Sequence, residues 1–138
     1  MIRKSPSFSK KAALFLIRNG LNGLAYVAPG RAGRLALQLF STPMRGRFRE
    51  PLPEVLERAD ERVRIEHRGE AISAWFYQGD RETVLLAHGW ESNAARWKPL
   101  LNRLRERGFS VLLVDAPGHG TATGKHFTAI LYAGYLEK

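Results

Sequence analysis

The sequence of 138 residues contains no cysteine. This absence excludes disulfide bonds, zinc–thiolate sites, iron–sulfur clusters and a cysteine nucleophile. It fits a reducing compartment, so we expect a cytoplasmic protein. The histidines show neither the H-x-x-x-H nor the H-E-x-x-H spacing of a metal site, and we expect no bound metal. They are His67, His88, His119 and His126.

The sequence also lacks an apolar run long enough to span a bilayer, which requires about 20 residues. The best candidate, residues 12–28, is interrupted by Arg18, Asn19 and Asn22. The same arginine ends the first apolar segment too early for a secretory signal peptide. We therefore expect neither a membrane span nor a secretion signal in this sequence.

Acidic residues are absent from residues 1–49, which contain ten lysines and arginines. Residues 50–138 contain twelve basic and thirteen acidic residues, so the net charge of +9 arises from the first segment. A basic segment is attracted to anionic lipid or to nucleic acid. The arginines do not interleave with aromatic residues as in nucleic-acid-binding modules, so we expect no nucleic-acid partner.

Two amphipathic helices are predicted in this basic segment. Apolar side chains recur at helical spacing over residues 10–28, and Leu35 and Leu39 do so over residues 32–40. Pro29 with Gly30 marks the end of the first helix. We assign residues 1–50 to a basic helical arm and residues 51–138 to the domain that follows.

The arm has two possible roles. Its helices either pack against or extend from the following domain, or they lie on an acidic membrane at its cytoplasmic face. In the second case Phe15 and Tyr26 would serve as anchors. The first role is favoured, because Gly20 and Gly23 weaken the first helix and its apolar stripe is short.

Beyond the arm, the pattern indicates an α/β sheet of about four strands. Val63–Arg68 alternates with a period of two and forms a hairpin with Ala71–Tyr77, and we expect His67 to be exposed. Val84–Ala87 and Val111–Val114 are unbroken apolar runs, typical of parallel strands buried on both faces. Three helices are predicted around them, the second with Asn93 as its N-cap and Gly108 at its end. They cover residues 54–61, 94–107 and 128–138.

Two motifs follow the apolar strands. They are His88-Gly89-Trp90 and Asp115-Ala116-Pro117-Gly118-His119-Gly120. In this order and at this spacing they resemble the N-terminal part of the α/β-hydrolase superfamily, of the serine esterase, lipase and peptidase type. The resemblance covers about residues 63–138. It implies a strand order of 1-2-4-3-5 and hydrolysis of a small-molecule ester or amide by a serine nucleophile, with no cofactor.

The resemblance also assigns roles to the motif residues. The residue after His-Gly, here Trp90, would donate its backbone N–H to an oxyanion hole, which stabilises the tetrahedral intermediate. His88 would support the loop without acting as catalytic base, and His119 would shape the turn after the second strand. Asp115 would cap backbone donors in the loop that follows. The remaining loop residues are Gly89, Gly118 and Gly120.

The catalytic residues of the superfamily are not in this sequence. None of the seven serines lies in a G-x-S-x-G nucleophile elbow, and the catalytic acid and base come later still. Ser92 precedes the helix of residues 94–107 and is expected to face solvent or cap that helix. We therefore expect an N-terminal fragment, truncated before the elbow and inactive by itself.

Two other functions match parts of the sequence. Asp115 and Gly118 also match the D-x-x-G motif of GTPases, but no G-x-x-x-x-G-K-[ST] loop is present, and His126 follows Gly124-Lys125 where a hydroxyl is needed. The other alternative is a non-catalytic module that depends on a partner. Without a fifth strand, Val84–Ala87 would be an exposed sheet edge, which favours pairing with another chain or self-association.

Overall fold

The computed structural model describes residues 8–48, 51–67 and 69–137. Residues 1–7 and 49–50 of the predicted arm, Arg68 of the first predicted strand and Lys138 of the last predicted helix lie outside the described residues. The chain divides into two compact units, one ending at Phe40 and the other beginning at Ser41.

The first unit is helical. Helix α1 covers Phe8–Val27 and helix α2 covers Pro29–Ser41. The predicted break at Pro29 is confirmed, but the proline also begins α2, three residues earlier than predicted. Proline suits the first position of a helix, because its fixed φ is helical and its missing N–H would have had no partner there. No helix among the described residues is long and apolar enough to cross a membrane.

The second unit is built on a four-stranded mixed sheet of order β1-β2-β4-β3. The strands are β1 (Glu61–His67), β2 (Glu70–Tyr77), β3 (Arg81–Ala87) and β4 (Phe109–Val114). Strands β1 and β2 form the predicted antiparallel hairpin, β2 pairs with β4 antiparallel, and β3 pairs with β4 parallel. The predicted α/β sheet of about four strands, a hairpin followed by a βαβ unit, is confirmed.

Three helices accompany the sheet. They are α3 (Glu54–Glu57), α4 (Lys98–Arg105) and α5 (Ala129–Leu136). The predicted helix over residues 54–61 is too long, since Glu61 already belongs to β1. The start of the predicted helix over 94–107 is a 3₁₀ turn, Ala94–Trp97, and the α-helix begins beside Pro99, which suits a first turn. Helix α5 is capped by Thr128, whose Oγ1 accepts from the Leu131 N–H at 3.1 Å.

The sheet separates two apolar clusters, because successive side chains of a strand point to opposite faces. Trp75 and Leu113 pack on one face with Leu101 of α4. Ala74 and Val114 pack on the other face, together with the tyrosines of α5. The prediction that β3 is buried on both faces is wrong. Leu85 is 44% exposed, because β3 lies at the edge of the described sheet.

Candidate functional site at the carboxyl ends of β3 and β4

The two sequence motifs start side by side. Strands β3 and β4 are parallel neighbours, and Ala87 is in register with Val114. The loops that begin at His88 and Asp115 therefore leave the same edge of the sheet. The carboxyl ends of parallel strands are the usual place for ligand sites in α/β proteins.

Asp115 is fully buried and joins three segments of the site. Its Oδ1 accepts from the Ala94 N–H at 2.8 Å, and its Oδ2 accepts from the Thr121 N–H at 2.9 Å. Burial raises the pKa of this carboxyl to about 6, against the opposing effect of the two backbone donors. The carboxylate thus holds the start of the 3₁₀ turn and the loop after β4 to the end of its own strand.

This arrangement corrects the predicted N-cap of the helix. Asn93 makes no side-chain capping bond. Its Nδ2 donates instead to the Gly46 carbonyl at 3.3 Å. The N–H of Ala94 is bound by Asp115, which is remote in sequence and already fixed in position by β4. The residues around Asn93 could not indicate that a distant aspartate, and not Asn93, accepts from this N–H.

His88 supports the loop in a single neutral form. Its Nε2 accepts from the Ala116 N–H at 3.0 Å, so the proton lies on Nδ1, which donates to the Gly89 carbonyl at 2.8 Å. Burial lowers the pKa of this imidazole to about 4. Asp115 Oδ1 lies 3.7 Å from Nε2. That nitrogen carries no proton, so the two side chains form no ion pair.

His119 makes an equivalent pair of bonds and links the two loops directly. Its Nδ1 donates to the Pro117 carbonyl at 2.9 Å, and its Nε2 accepts from the Glu91 N–H at 3.0 Å. Burial also lowers the pKa of this imidazole. In both buried histidines each ring nitrogen is therefore engaged by the backbone.

The residues that follow His88 are partly exposed to solvent. The indole of Trp90 is 40% exposed and packs against the rings of His119 and Phe127, with centroids 5.9 and 5.7 Å away. Glu91 follows with φ of 49°, a left-handed conformation that is uncommon for a residue with a side chain. Its Oε1 accepts from the Met44 N–H at 3.2 Å. Sequence reasoning missed Glu91, because no residue type there signals a positive φ.

The glycines of the second motif are required by space as well as by conformation. Gly118 and Gly120 have φ of 73° and 51°. A Cβ on Gly120 would lie 1.6 Å from Asp115 Oδ2, so no larger residue fits there.

Residues 46–48, which carry no recognisable sequence motif, border the site. Gly120 donates its N–H to the Gly46 carbonyl at 2.8 Å, and its own carbonyl accepts from the Phe48 N–H at 3.2 Å. Arg47 between them donates to the carbonyls of Ala122 and Gly124. These contacts join residues more than 70 positions apart, so no local pattern predicts them.

The other candidate residues lie apart from these loops or in supporting positions. Ser92 Oγ accepts from the Arg96 guanidinium at 3.1 Å, in the loop before the 3₁₀ turn. His67 is half-buried against Tyr135, with ring centroids 5.3 Å apart, so its predicted exposure is wrong. Among the described residues there is no group of three or more histidines and carboxylates that could hold a metal ion.

Comparison with known proteins agrees with this geometry. A family model described as serine aminopeptidase, S33, of the hydrolase class, matches residues 78–136, which include both motifs. An esterase from Pyrococcus furiosus superposes with a TM-score of 0.51 and 26% identity, over 69% of this chain and 38% of that one.

The chain has the fold and motifs of an α/β-hydrolase. A structure of an α/β-hydrolase from Vibrio vulnificus adds agreement in fold alone, with a TM-score of 0.54 and 21% identity over 67% of this chain and 34% of that one. The resemblance predicted from the two motifs is thus confirmed.

A curated relative of this chain is the pimeloyl-[acyl-carrier protein] methyl ester esterase of Vibrio vulnificus strain YJ016, which is 36% identical over 56 residues. The match covers 41% of this chain and 22% of the relative. The chain thus spans about a fifth of the length of the curated relatives it matches.

Proposed function

We propose that this chain forms the N-terminal, oxyanion-binding part of a cytoplasmic serine hydrolase that cleaves a small-molecule ester or amide without a cofactor. The observation that carries the proposal is the convergence of two loops at the carboxyl ends of β3 and β4. His88 fixes the first loop and Asp115 the second, and His119 joins them. A binding site for a reacting carbonyl needs such rigid backbone on both sides.

The proposed oxyanion donor is the backbone N–H of Trp90. The peptide groups on either side of it are held: the Gly89 carbonyl by His88 and the Glu91 N–H by His119. An N–H that is fixed before the reaction stabilises the negative charge of a tetrahedral intermediate without reorganisation, typically by a few kcal/mol. The structural roles proposed for the two histidines follow from their engaged ring nitrogens.

Neither histidine is proposed as the general base. A base must accept a proton near neutral pH, whereas burial lowers the pKa of His88 to about 4 and lowers that of His119 as well. The nucleophile, the acid and the base would then be supplied by a part of the hydrolase outside this sequence. We propose that the chain by itself has no serine-dependent turnover.

An ester is the first substrate class to test. Two of the similar proteins are esterases by name, whereas the matching family model is named for an aminopeptidase. Purified chain should neither hydrolyse p-nitrophenyl acetate above the rate of a heat-treated sample nor be labelled by a fluorophosphonate. Turnover that an organophosphate abolishes would contradict the proposed inactivity of the chain alone.

Reading the gene past the codon for Lys138 tests the larger proposal. We expect a further strand and a G-x-S-x-G elbow in the same reading frame or in one shifted by a base. A true stop codon followed by unrelated sequence would contradict the hydrolase proposal and favour a module that acts with a partner.

The oxyanion role can be tested separately once the chain is joined to a segment carrying the elbow, acid and base. That segment would come from the same gene or from the Pyrococcus esterase. Trp90→Pro removes the backbone N–H, whereas Trp90→Ala removes the indole and keeps the N–H. We expect kcat to fall about 10²- to 10³-fold more in the proline variant than in the alanine variant. Equal losses in two equally stable variants would exclude the backbone role.

A second candidate, a non-catalytic module that pairs with another chain, is favoured by one observation. Strand β3 is at the edge of the described sheet, and Leu85 on it is 44% exposed. Such an edge pairs readily with a second strand. Sedimentation velocity over a range of concentrations should show self-association that Leu85→Lys weakens. A monomer at high concentration with cooperative unfolding would argue against this candidate.

A further inference from the structure

The first unit exposes apolar side chains along both of its helices. In α1, Leu14, Leu16, Tyr26 and Val27 are between 62% and 91% exposed. In α2, Leu37 is 60% exposed. Single exposed leucines are normal in soluble proteins, but so many exposed large apolar side chains on two consecutive helices indicate a surface that is covered in use.

Four cationic side chains of these helices are also exposed. Lys11 and Arg18 belong to α1, and Arg31 and Arg34 belong to α2. Residues 1–49 contain no aspartate or glutamate at all. The cations therefore have no carboxylate within residues 1–49 to neutralise them, and such a segment attracts anionic partners.

Charge and apolar surface are separated around helix α2. At 100° per residue, Arg31, Arg34 and Gln38 fall within 60° of one another on α2. Ala36 and Phe40 lie opposite them, and Leu37 and Leu39 lie on either side of that apolar face. This is the pattern of a helix that lies in the plane of a membrane interface, with leucines in the acyl boundary and arginines among the headgroups.

In α1, Lys11, Arg18 and Asn22 share one side, opposite Leu16 and Val27. The exposed Leu14 and Phe15 border that polar side, so the polar stripe of α1 is narrow. Tyr26 lies beside the polar side and is the most exposed large apolar side chain of the described residues, at 91%. An aromatic ring with a polar end suits the headgroup level of a bilayer.

We propose that helices α1 and α2 bind the surface of an anionic bilayer and so bring the proposed hydrolase to a membrane. The charge of the arm selects an anionic partner, and its exposed leucines favour lipid over nucleic acid. A nucleic acid would use the arginines but would give the apolar residues nothing to bury against. This inference does not depend on the catalytic proposal, since it rests on a different unit and needs no turnover.

Flotation of the full chain with vesicles tests the inference. We expect binding to vesicles containing phosphatidylserine or phosphatidylglycerol, weaker binding to pure phosphatidylcholine, and loss of binding as salt rises, because salt screens the charge attraction. Equal binding to both kinds of vesicle, or no binding to either, would overturn it. Binding to a DNA or RNA duplex without binding to vesicles would also overturn it.

Two triple charge-reversal variants, one in the arm and one in the second unit, locate the binding surface. Arg18→Glu, Arg31→Glu and Arg34→Glu together change the arm, and Arg64→Glu, Lys98→Glu and Arg103→Glu change exposed positions of the second unit. Each triple variant lowers the net charge from +9 to +3. We expect the arm variant to lose affinity for anionic vesicles by about a hundredfold or more and the control to lose much less.

Two further measurements keep the test decisive. Circular dichroism and the melting temperature check that both triple variants fold, and an equal loss of binding in two folded variants would overturn the location. Tyr26→Trp places a reporter at the predicted depth. Its fluorescence, after subtraction of the wild-type signal, should shift to the blue on anionic vesicles, and an unshifted spectrum in vesicle-bound protein would contradict insertion of this face.

Discussion

The helical arm and the sheet unit distribute polar and apolar groups in opposite ways. In the arm, leucines and Tyr26 are exposed, and the formal charges of residues 1–49 have a single sign. In the sheet unit, polar groups as costly to bury as Asp115, His88 and His119 are almost completely shielded from solvent. Burial of such groups is tolerated only where hydrogen bonds compensate it, and each of them has two such bonds to the backbone.

Residues that stand out in the sequence therefore have different roles in the two regions. The histidines and the aspartate of the sheet motifs attract attention as candidates for chemistry, yet their polar atoms are used to position backbone. The proposed chemistry falls instead to a main-chain N–H, which has no residue-type signal of its own. In the arm, the cationic and apolar side chains remain exposed and are available to a partner.

We expect glycine-to-alanine substitutions to change stability in opposite directions in the two regions, and this is the largest effect we expect. In Gly120→Ala the new methyl group collides with Asp115 Oδ2, and φ of 51° adds strain, so we expect a loss of about 3 kcal/mol or more in the free energy of unfolding. In Gly23→Ala the methyl group meets open space inside α1, and alanine is the better helix former by up to about 1 kcal/mol.

Urea unfolding followed by tryptophan fluorescence measures the Gly120 variant, because all three tryptophans lie in the second unit. Helix content by circular dichroism measures the Gly23 variant. A Gly120→Ala protein as stable as wild type would contradict the close contact between the glycine and Asp115. A loss of helix in Gly23→Ala would contradict the open surroundings of α1.

The part of this architecture that could be predicted from sequence is the part encoded by local pattern. The alternation in β1, the apolar runs of β3 and β4 and the break at Pro29 each depend on neighbours within a few residues. The two motifs indicated the fold family through their resemblance to α/β-hydrolases. The structure adds that Gly120 leaves room for Asp115 five residues earlier. Strand order came with the family resemblance rather than from the residues alone.

What sequence reasoning missed depends on contacts between distant segments. The Gly46 carbonyl accepts from both Gly120 and Asn93, and Asp115 replaces Asn93 as the cap of the 3₁₀ turn. The exposure of Leu85 follows from the position of β3 at the sheet edge. None of these features changes the local residue pattern, so a single sequence gives no means of finding them.

Stability against pH should distinguish the buried groups from each other. His88 has a folded pKa of about 4 against 6.5 in the unfolded chain, so its contribution to stability is complete above pH 6.5 and is lost as pH falls toward 4. His119 acts in the same direction. The folded pKa of Asp115, about 6, lies above its unfolded value of 3.8, so its contribution falls as pH rises through that interval.

Between pH 4.5 and 6.5, the two buried histidines make the slope of the free energy of unfolding against pH more positive, and the buried carboxyl makes it less positive. His88→Asn should make this slope less positive, and Asp115→Asn should make it more positive, each by on the order of 1 kcal/mol per pH unit. Urea titrations at four pH values would measure the slopes. Variants whose slopes shift in the same direction would contradict the assigned protonation states.

The smallest expected difference concerns a single hydroxyl in each region. Tyr135 is buried in α5, and its hydroxyl donates to the His67 carbonyl at 3.1 Å. Tyr135→Phe leaves that half-buried carbonyl without this donor, so we expect a loss of about 1 kcal/mol in the free energy of unfolding. Tyr26→Phe changes a side chain that is 91% exposed, and we expect a change within about 0.5 kcal/mol. Urea midpoints measure the Tyr135→Phe variant, and thermal melts of helix content measure the Tyr26→Phe variant. A larger loss of stability in Tyr26→Phe than in Tyr135→Phe would mean that the arm, and not the sheet unit, buries its tyrosine.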